Sequence, residues 1–431
     1  PGILALPSEV AGSAGPLGIL AYLFMGGLTL FTAFSYSELG AAIPIAGGGY
    51  SFTSRTLPRP VAFLTGWFFW IGNTLACALY AVIFALTIKV YFFPEVSVIA
   101  VVVVTTLVFT ASNFVGQAEA LKFITVMNII ELIILIGVGV LGAFHVEPAN
   151  LEPFAPMGLG PLLPTMGLIY ISYVGFDLIT VAAEEIKDPA KNIPRAIFIT
   201  LGTGIAIYVL LLWVMMGVVN YSDLAETSTP FIFISDHLFG AWGRWAGILA
   251  TIMASLSAFS VTLGASSRVL FALGRDGHFP SFFARLHSKY KTPHISLFVC
   301  AALVAILGAS GVVRLLASAS SFGYLIAIGI VNYTVIALHQ KMPNLRKPFK
   351  VVLYPLVPIV GIIACWFFVP MLEFQSLVLG TGLTAVGAVL YLLQPQNRAE
   401  FSKFPSFVQH LKIKFQAYWR PYMNILIIGG G

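Results

Sequence analysis

Along nearly its whole length this chain sets long, continuously apolar stretches between short charged connections. About 20 apolar residues cross a bilayer as a helix, because a helix satisfies its own backbone polar groups within the segment. A membrane barrel would alternate in polarity residue by residue, and these stretches do not. The pattern predicts helices over 1–12, 16–39, 60–92, 96–115, 123–145, 161–184, 196–219, 245–273, 293–310, 314–338, 353–372 and 375–393. That is an all-α membrane protein with about 12 transmembrane helices; Pro1 opens within the first of these, which is read as incomplete. Two connections are longer. Residues 40–59 carry Pro44 and Gly47-Gly48-Gly49, and 220–243 carry Pro230 with several aromatic rings; both are expected to hold short helices at a membrane surface.

Composition rules out the soluble alternatives. Of 431 residues 58% are hydrophobic and only 9% charged, with a mean hydropathy of +0.94, whereas soluble domains carry about a quarter charged. Cys77, Cys300 and Cys365 each fall inside an apolar stretch, far apart and without metal-ligand spacing, so they read as small core residues.

The net charge of +6 is sorted by side. When the predicted helices are threaded alternately, the face bearing residues 40–59 collects nearly every lysine and arginine. Of 23, only Lys89, Arg244 and Arg314 fall opposite, among the acids Glu9, Glu95, Glu147, Glu152, Asp223, Glu226, Asp236 and Glu373. By the positive-inside rule the basic face is cytoplasmic, in a cell-membrane protein. The positive charge is then a mark of topology and not a nucleic-acid site. Residues 1–395 form the membrane domain; 396–431 form a cytoplasmic tail. Its end, Asn424-Ile425-Leu426-Ile427-Ile428-Gly429-Gly430-Gly431, has the look of a first strand and phosphate-cradling turn of a soluble domain, and equally of a linker or a cloning scar.

Candidate chemistry sits where helices are interrupted. The sixth predicted helix contains Tyr170-Ile171-Ser172-Tyr173-Val174-Gly175-Phe176-Asp177. Gly175 permits unwinding, Ser172 can bond a freed backbone group, and Asp177 is an ionisable group at a depth where one is costly. A flexible helix with a buried, paired aspartate would explain the same residues. The opening Pro1-Gly2-Ile3-Leu4-Ala5-Leu6-Pro7 is a second interrupted entry, five helices earlier. Interrupted helices at matching places in two halves point to an inverted repeat with a site at the membrane midplane. Glu131 stands alone among Ile129, Ile130, Leu132 and Ile133, with Thr125 and Asn128 at helical spacing on one stripe. It could take a proton in a low-dielectric surrounding or help ligate a cation; a neutral acid bonded to a neighbour is the structural alternative. Ser257 and Ser260 offer hydroxyls from a facing wall.

In order and spacing, these segments carry a resemblance. They are Gly2-Ile3 with Leu6-Pro7, Glu38-Leu39 with Pro44 and Gly47-Gly48-Gly49-Tyr50, and Tyr173 to Asp177 through Glu184-Glu185, Pro189 and Pro194-Arg195. Arg268-Val269-Leu270 to Arg275-Asp276-Gly277 follow, then Arg346 with Pro348-Phe349, Pro355 and Pro358. Over essentially all of 1–395 the chain resembles the amino acid–polyamine–organocation permeases. The resemblance implies the fold of the bacterial leucine transporter, a five-plus-five inverted repeat with discontinuous helices one and six. It also implies amino acid transport, proton-coupled or by exchange, with no chemistry done on the substrate.

Carried over, Gly2 and Ile3 would meet the substrate carboxylate, and carbonyls around Ile171 and Val174, with Ser172, Tyr173, Gly175 and Asp177 nearby, would meet its amine. Trp70-Ile71-Gly72-Asn73 is similar to a segment of the arginine–agmatine exchangers, which puts Asn73 near the side-chain pocket; an interhelical hydrogen bond is the plainer reading. The chain departs from the family at Pro1, where Ser or Ala is usual and which has no amide to donate. It departs again at Glu131, where many relatives carry lysine. Glu131, Ser257 and Ser260 become the ion-coupling candidates, for a proton or Na+, with no other cofactor and no metal. Few midplane acids tilt the expected substrate toward small or neutral amino acids. A sodium-coupled amino acid or polyamine transporter and a transporter-derived sensor are the alternatives. A membrane enzyme is disfavoured because all seven histidines fall at or beyond span ends.

Overall fold

The computed structural model describes residues 1–45, 47–115 and 118–393, with the side chains of 118–123 and 185 also outside its description. The expected tail, 396–431, lies outside the described residues. Among those described there is no strand. In chain order come α1 (Gly2–Ala14), a 3₁₀ turn over Gly15–Leu17, α2 (Gly18–Ala42), the short α3 (Gly48–Thr56), α4 (Arg59–Tyr91), α5 (Val98–Val115) and α6 (Ala118–Gly142). Then follow α7 (Leu162–Tyr173), the one-turn α8 (Leu178–Val181), α9 (Pro189–Val218), α10 (Tyr221–Glu226), α11 (Pro230–Arg275), α12 (His294–Gly308), α13 (Val313–Lys341), α14 (Leu356–Phe368) and α15 (Phe374–Leu393).

Nine segments among the described residues are long and apolar enough to cross a membrane. One of them, Gly2–Ala42, contains both α1 and α2, and α12 and α14 are apolar but shorter. One boundary differs clearly from the sequence reading. α9 starts at Pro189, not near 196, because proline at the first position of a helix gives up an amide that has no partner there anyway. α11 is interrupted at Gly240 (φ 60°, ψ −145°), so a short helix from Pro230 precedes the span expected to start near 245. The two longer connections do hold short helices, α3 and α10.

α4 is the axis of the bundle, packed along both α11 and α13. Lipid gives no hydrophobic incentive for helices to associate, so close backbone approach and interhelical hydrogen bonds carry the seam. Between α4 and α13, Ser320 donates to the Gly72 carbonyl (2.8 Å) and Tyr324 donates to Asn73 Oδ1 (2.9 Å). A Cβ at Gly323 would lie 2.9 Å from the Phe68 carbonyl oxygen and 3.1 Å from the Gly72 nitrogen, so only glycine fits. Gly323→Ala is therefore expected to cost about 1–3 kcal/mol by overpacking and to lower the melting temperature of the purified protein. An unchanged melting curve would mean that this seam opens freely.

The lipid-facing helices show the complementary pattern: Ile129, Ile133 and Leu132 are exposed on α6 while Leu135 and Val138 face inward. Cys77, Cys300 and Cys365 are buried and free. At one end of the bundle α3 packs on α8, with the Gly47 N–H donating to the Val181 carbonyl (3.4 Å). Tyr50 of α3 donates to Asp276 Oδ2 just past the end of α11 (2.7 Å), and Arg59 donates to the Asp276 carbonyl (3.1 Å). His278 is buried there among Tyr50, Phe63 and Tyr391. Burial, helped by Arg59, pushes its pKa down to about 4, so it packs as a neutral ring. At the other end Arg244 pairs with Asp236 (2.9 Å), and Arg314 with Glu373 (2.6 Å) and Glu9 (3.5 Å). Two of the three basic residues on the acidic face of the threading are thus neutralised by acids assigned to that same face.

Candidate functional site

The sixth predicted helix is broken where glycine allows it. α7 ends at Tyr173, Val174 is extended (φ −77°, ψ 149°), Gly175 sits at φ 124°, and α8 begins at Leu178. Side chains rarely adopt that φ, so the break depends on Gly175 being glycine. The last turn of α7 is not followed by a further helical turn, and the Val174 N–H closes it on the Ile171 carbonyl (3.3 Å). α1 passes close to this break: a Cβ at Gly2 would lie 3.0 Å from Ser172 Cβ.

A cavity of about 310 Å³ opens at that meeting point. Pro1 and Gly2 of the α1 entry form one wall, and Ile171, Ser172, Val174, Gly175 and Leu178 of the broken helix form the next. Asn128 and Glu131 come from α6, Tyr80 from α4, Tyr208 from α9, and Ala254, Ser257, Ala258, Val261 and Thr262 from α11. Asn128 and Glu131 are one short turn apart, so helical spacing alone brings both to the cavity. Glu131 is the only charged side chain among the lining residues. Ser257 is partly engaged, its hydroxyl donating to the Ala254 carbonyl (3.1 Å).

Of the residues singled out from sequence, Gly2, Ile171, Ser172, Val174, Gly175, Glu131 and Ser257 share this cavity. Ile3, Asn73, Tyr173, Asp177 and Ser260 do not line it. Ile3 is buried in the core. Asn73 donates to the Phe69 carbonyl (2.7 Å) and accepts from Tyr324, the interhelical bond of the plainer reading. Tyr173 donates to the Tyr22 carbonyl (2.6 Å), tying α7 to α2. Ser260 is turned to α5, where Asn113 donates to it (3.4 Å). Asp177 Oδ1 accepts the Gly175 N–H (3.0 Å), so the carboxylate caps the break from within its own turn. Thr125, the third member of the α6 stripe, is also outside the lining.

Tyr80, Tyr208 and Thr262 were not anticipated. A tyrosine in an apolar helix reads as core, and the hydroxyl, which needs a partner when buried, is the one signal that marks it.

The amino acid permease family model matches residues 1–393. Among curated relatives, the chain is similar to the branched-chain amino acid permease BcaP of Bacillus subtilis, at 28% identity over 93% of this chain and 90% of that protein. It is 29% identical to the methylthioribose transporter of the same organism, over 93% of this chain and 91% of the relative. Against the low-affinity putrescine importer PlaP of Escherichia coli it is 27% identical, over 86% and 84%. With a cavity where α1 meets the broken helix, inside a helical assembly of membrane-crossing length, the chain belongs to the amino acid permease family and is a membrane transporter, not an enzyme.

Proposed function

We propose that this permease carries small neutral amino acids across the cell membrane by alternating access, coupled to a proton at Glu131. The twelve-span count, with α1 and α2 taken separately and α12 and α14 included, and the five-plus-five inverted repeat belong to this reading. The observation that carries it is the cavity itself. It sets the α1 backbone at Gly2, a candidate partner for a carboxylate, and the polar groups at the break after α7, candidate partners for an ammonium, against one carboxylate on the opposite wall. A zwitterion satisfies the first two. Glu131 is left to take a proton, so that a neutral amino acid and a neutral carboxyl group occupy the site together.

Purified protein in proteoliposomes with an alkaline interior should accumulate labelled alanine, serine or valine, and collapse of the pH gradient should abolish accumulation. No uptake of any amino acid in such vesicles would sink the reading. One observation favours a second substrate class. No lysine, arginine or histidine side chain lines the cavity beside Glu131, a setting that also suits a diamine, as carried by the putrescine importer among the relatives. Putrescine uptake exceeding that of the neutral amino acids would select it.

The Lys/Arg-rich face is taken as cytoplasmic in this scheme. Lys187 and Glu226 are exposed at opposite ends of α9, and the three native cysteines are buried. Lys187→Cys should resist an impermeant thiol reagent in intact cells while Glu226→Cys reacts; the reverse pattern inverts the threading.

A further inference from the structure

We infer that a second site, at the start of α9, binds an anionic phospholipid. A cavity of about 590 Å³ lies there between the first three turns of α9 and residues 348 and 349. Its inner wall is aromatic. Phe198 packs edge-on against Phe34 of α2 (centroids 4.7 Å) and lies 6.0 Å from Phe349, which is itself 6.4 Å from Phe34. Pro194, Pro348 and the exposed Ile199 continue the apolar lining. Its rim is cationic: Lys191 and Arg195, four residues apart, fall on one face of the helix and both line the cavity. Neither makes an ion pair or hydrogen bond through its side chain among the described residues, whereas Lys341 and Lys347 nearby donate to backbone carbonyls. Asp188, the nearest acid in sequence, is not part of the lining.

This combination fits one ligand chemistry. Two unneutralised cations on adjacent turns suit a phosphodiester, and the phenylalanine wall directly beneath them suits the carbons next to it. The depth agrees as well. α9 is a membrane-crossing segment beginning at Pro189, so the cations stand at the headgroup level and Phe198 and Ile199 below it. Basic pockets between transmembrane helices on the cytoplasmic side bind acidic headgroups in this way. A soluble phosphate ester would use the cations and leave the apolar wall exposed; the arrangement favours the lipid. The site is separate from the transport cavity, sharing no lining residue with it.

The test uses the whole purified protein, delipidated in a neutral detergent, and its melting temperature on titration with phosphatidylglycerol, phosphatidylcholine of the same acyl chains, or glycerol phosphate. Phosphatidylglycerol should stabilise more than phosphatidylcholine, by mass action on the folded state, and glycerol phosphate should have no effect. The double variant Lys191→Gln with Arg195→Gln should lose more than half of that difference. Arg285→Gln with Lys289→Gln, which removes the same charge outside the pocket, should keep it. Equal stabilisation by the two lipids, an unchanged difference in the double variant, an equal loss in the control pair, or full stabilisation by glycerol phosphate would each overturn the assignment. Lys191→Gln alone, a change at an exposed position on the rim, provides an intermediate loss if the double variant cannot be purified.

Discussion

Gly175→Val is expected to abolish substrate binding while leaving the protein monodisperse in detergent. Two effects act together. At φ 124° any side chain is strained, by about 1–3 kcal/mol, so the backbone is driven out of the conformation that frees the end of α7. The added carbon also has nothing within 4 Å, which means it projects into open space beside the cavity that Gly175 lines. The first effect closes the carbonyls to a ligand and the second fills the room for it. Neither reaches the core packing that holds the bundle, so the loss should be of affinity and not of fold. Binding of labelled alanine, serine and valine by scintillation proximity, alongside size-exclusion chromatography, separates the two. Affinity equal to wild type in a folded Gly175→Val protein would remove the break from the site.

Glu131→Gln is expected to leave exchange intact and to eliminate pH-driven accumulation. Glutamine has nearly the volume of a protonated glutamic acid and its hydrogen-bonding capacity, but it cannot release a proton. If the carboxyl group carries the proton with the substrate, the variant is locked in the loaded form. Counterflow, in which labelled substrate enters against unlabelled substrate inside, needs no proton movement and should continue. Uphill uptake under an inside-alkaline gradient should fall to the equilibrium level. Accumulation as high as wild type in the same proteoliposomes would make Glu131 structural. A wild-type protein that requires sodium and ignores pH would turn the same carboxylate into a cation ligand.

How much of this could be read from the chain depends on the range of the force involved. Transmembrane segments are legible because their cause is local: each must be apolar throughout and bonded within itself. The break at Gly175 is legible for the same reason, since a glycine flanked by Ser172 and Asp177 meets the local requirements of an unwound turn. Glu131 reaches the cavity because helical periodicity puts it opposite the exposed Ile129 and Ile133. What fails is partner choice. Asn73 has the right depth and polarity for a pocket, yet Tyr324, far away in sequence, claims its oxygen. Ser260 lies one turn from Ser257 and is turned instead to Asn113 of α5. Asp177 misled differently, because its partner is the Gly175 amide two residues back, a local bond within the broken turn itself. Tyr80 and Tyr208 escaped because an aromatic ring in an apolar helix carries no sign of which neighbour it faces.

The one-turn helix α8 bears on how the molecule distributes its local stability. A single turn lies far below the length at which a helix holds itself together, since nucleation costs more than so few hydrogen bonds return. Leu178–Val181 keeps its shape through α3, which packs on it, meets the Val181 carbonyl through Gly47, and is itself moored to Asp276 by Tyr50. The wall of the cavity on that side is consequently a borrowed element: its order is lent by the neighbouring, largely buried α3 and lasts as long as that helix stays seated. Regions of this kind sit at the low end of a protein's range of opening free energies. Loosening that wall therefore means unseating α3 from α4 and α13, and the buried Tyr50, with its bond to Asp276, is the point that holds it.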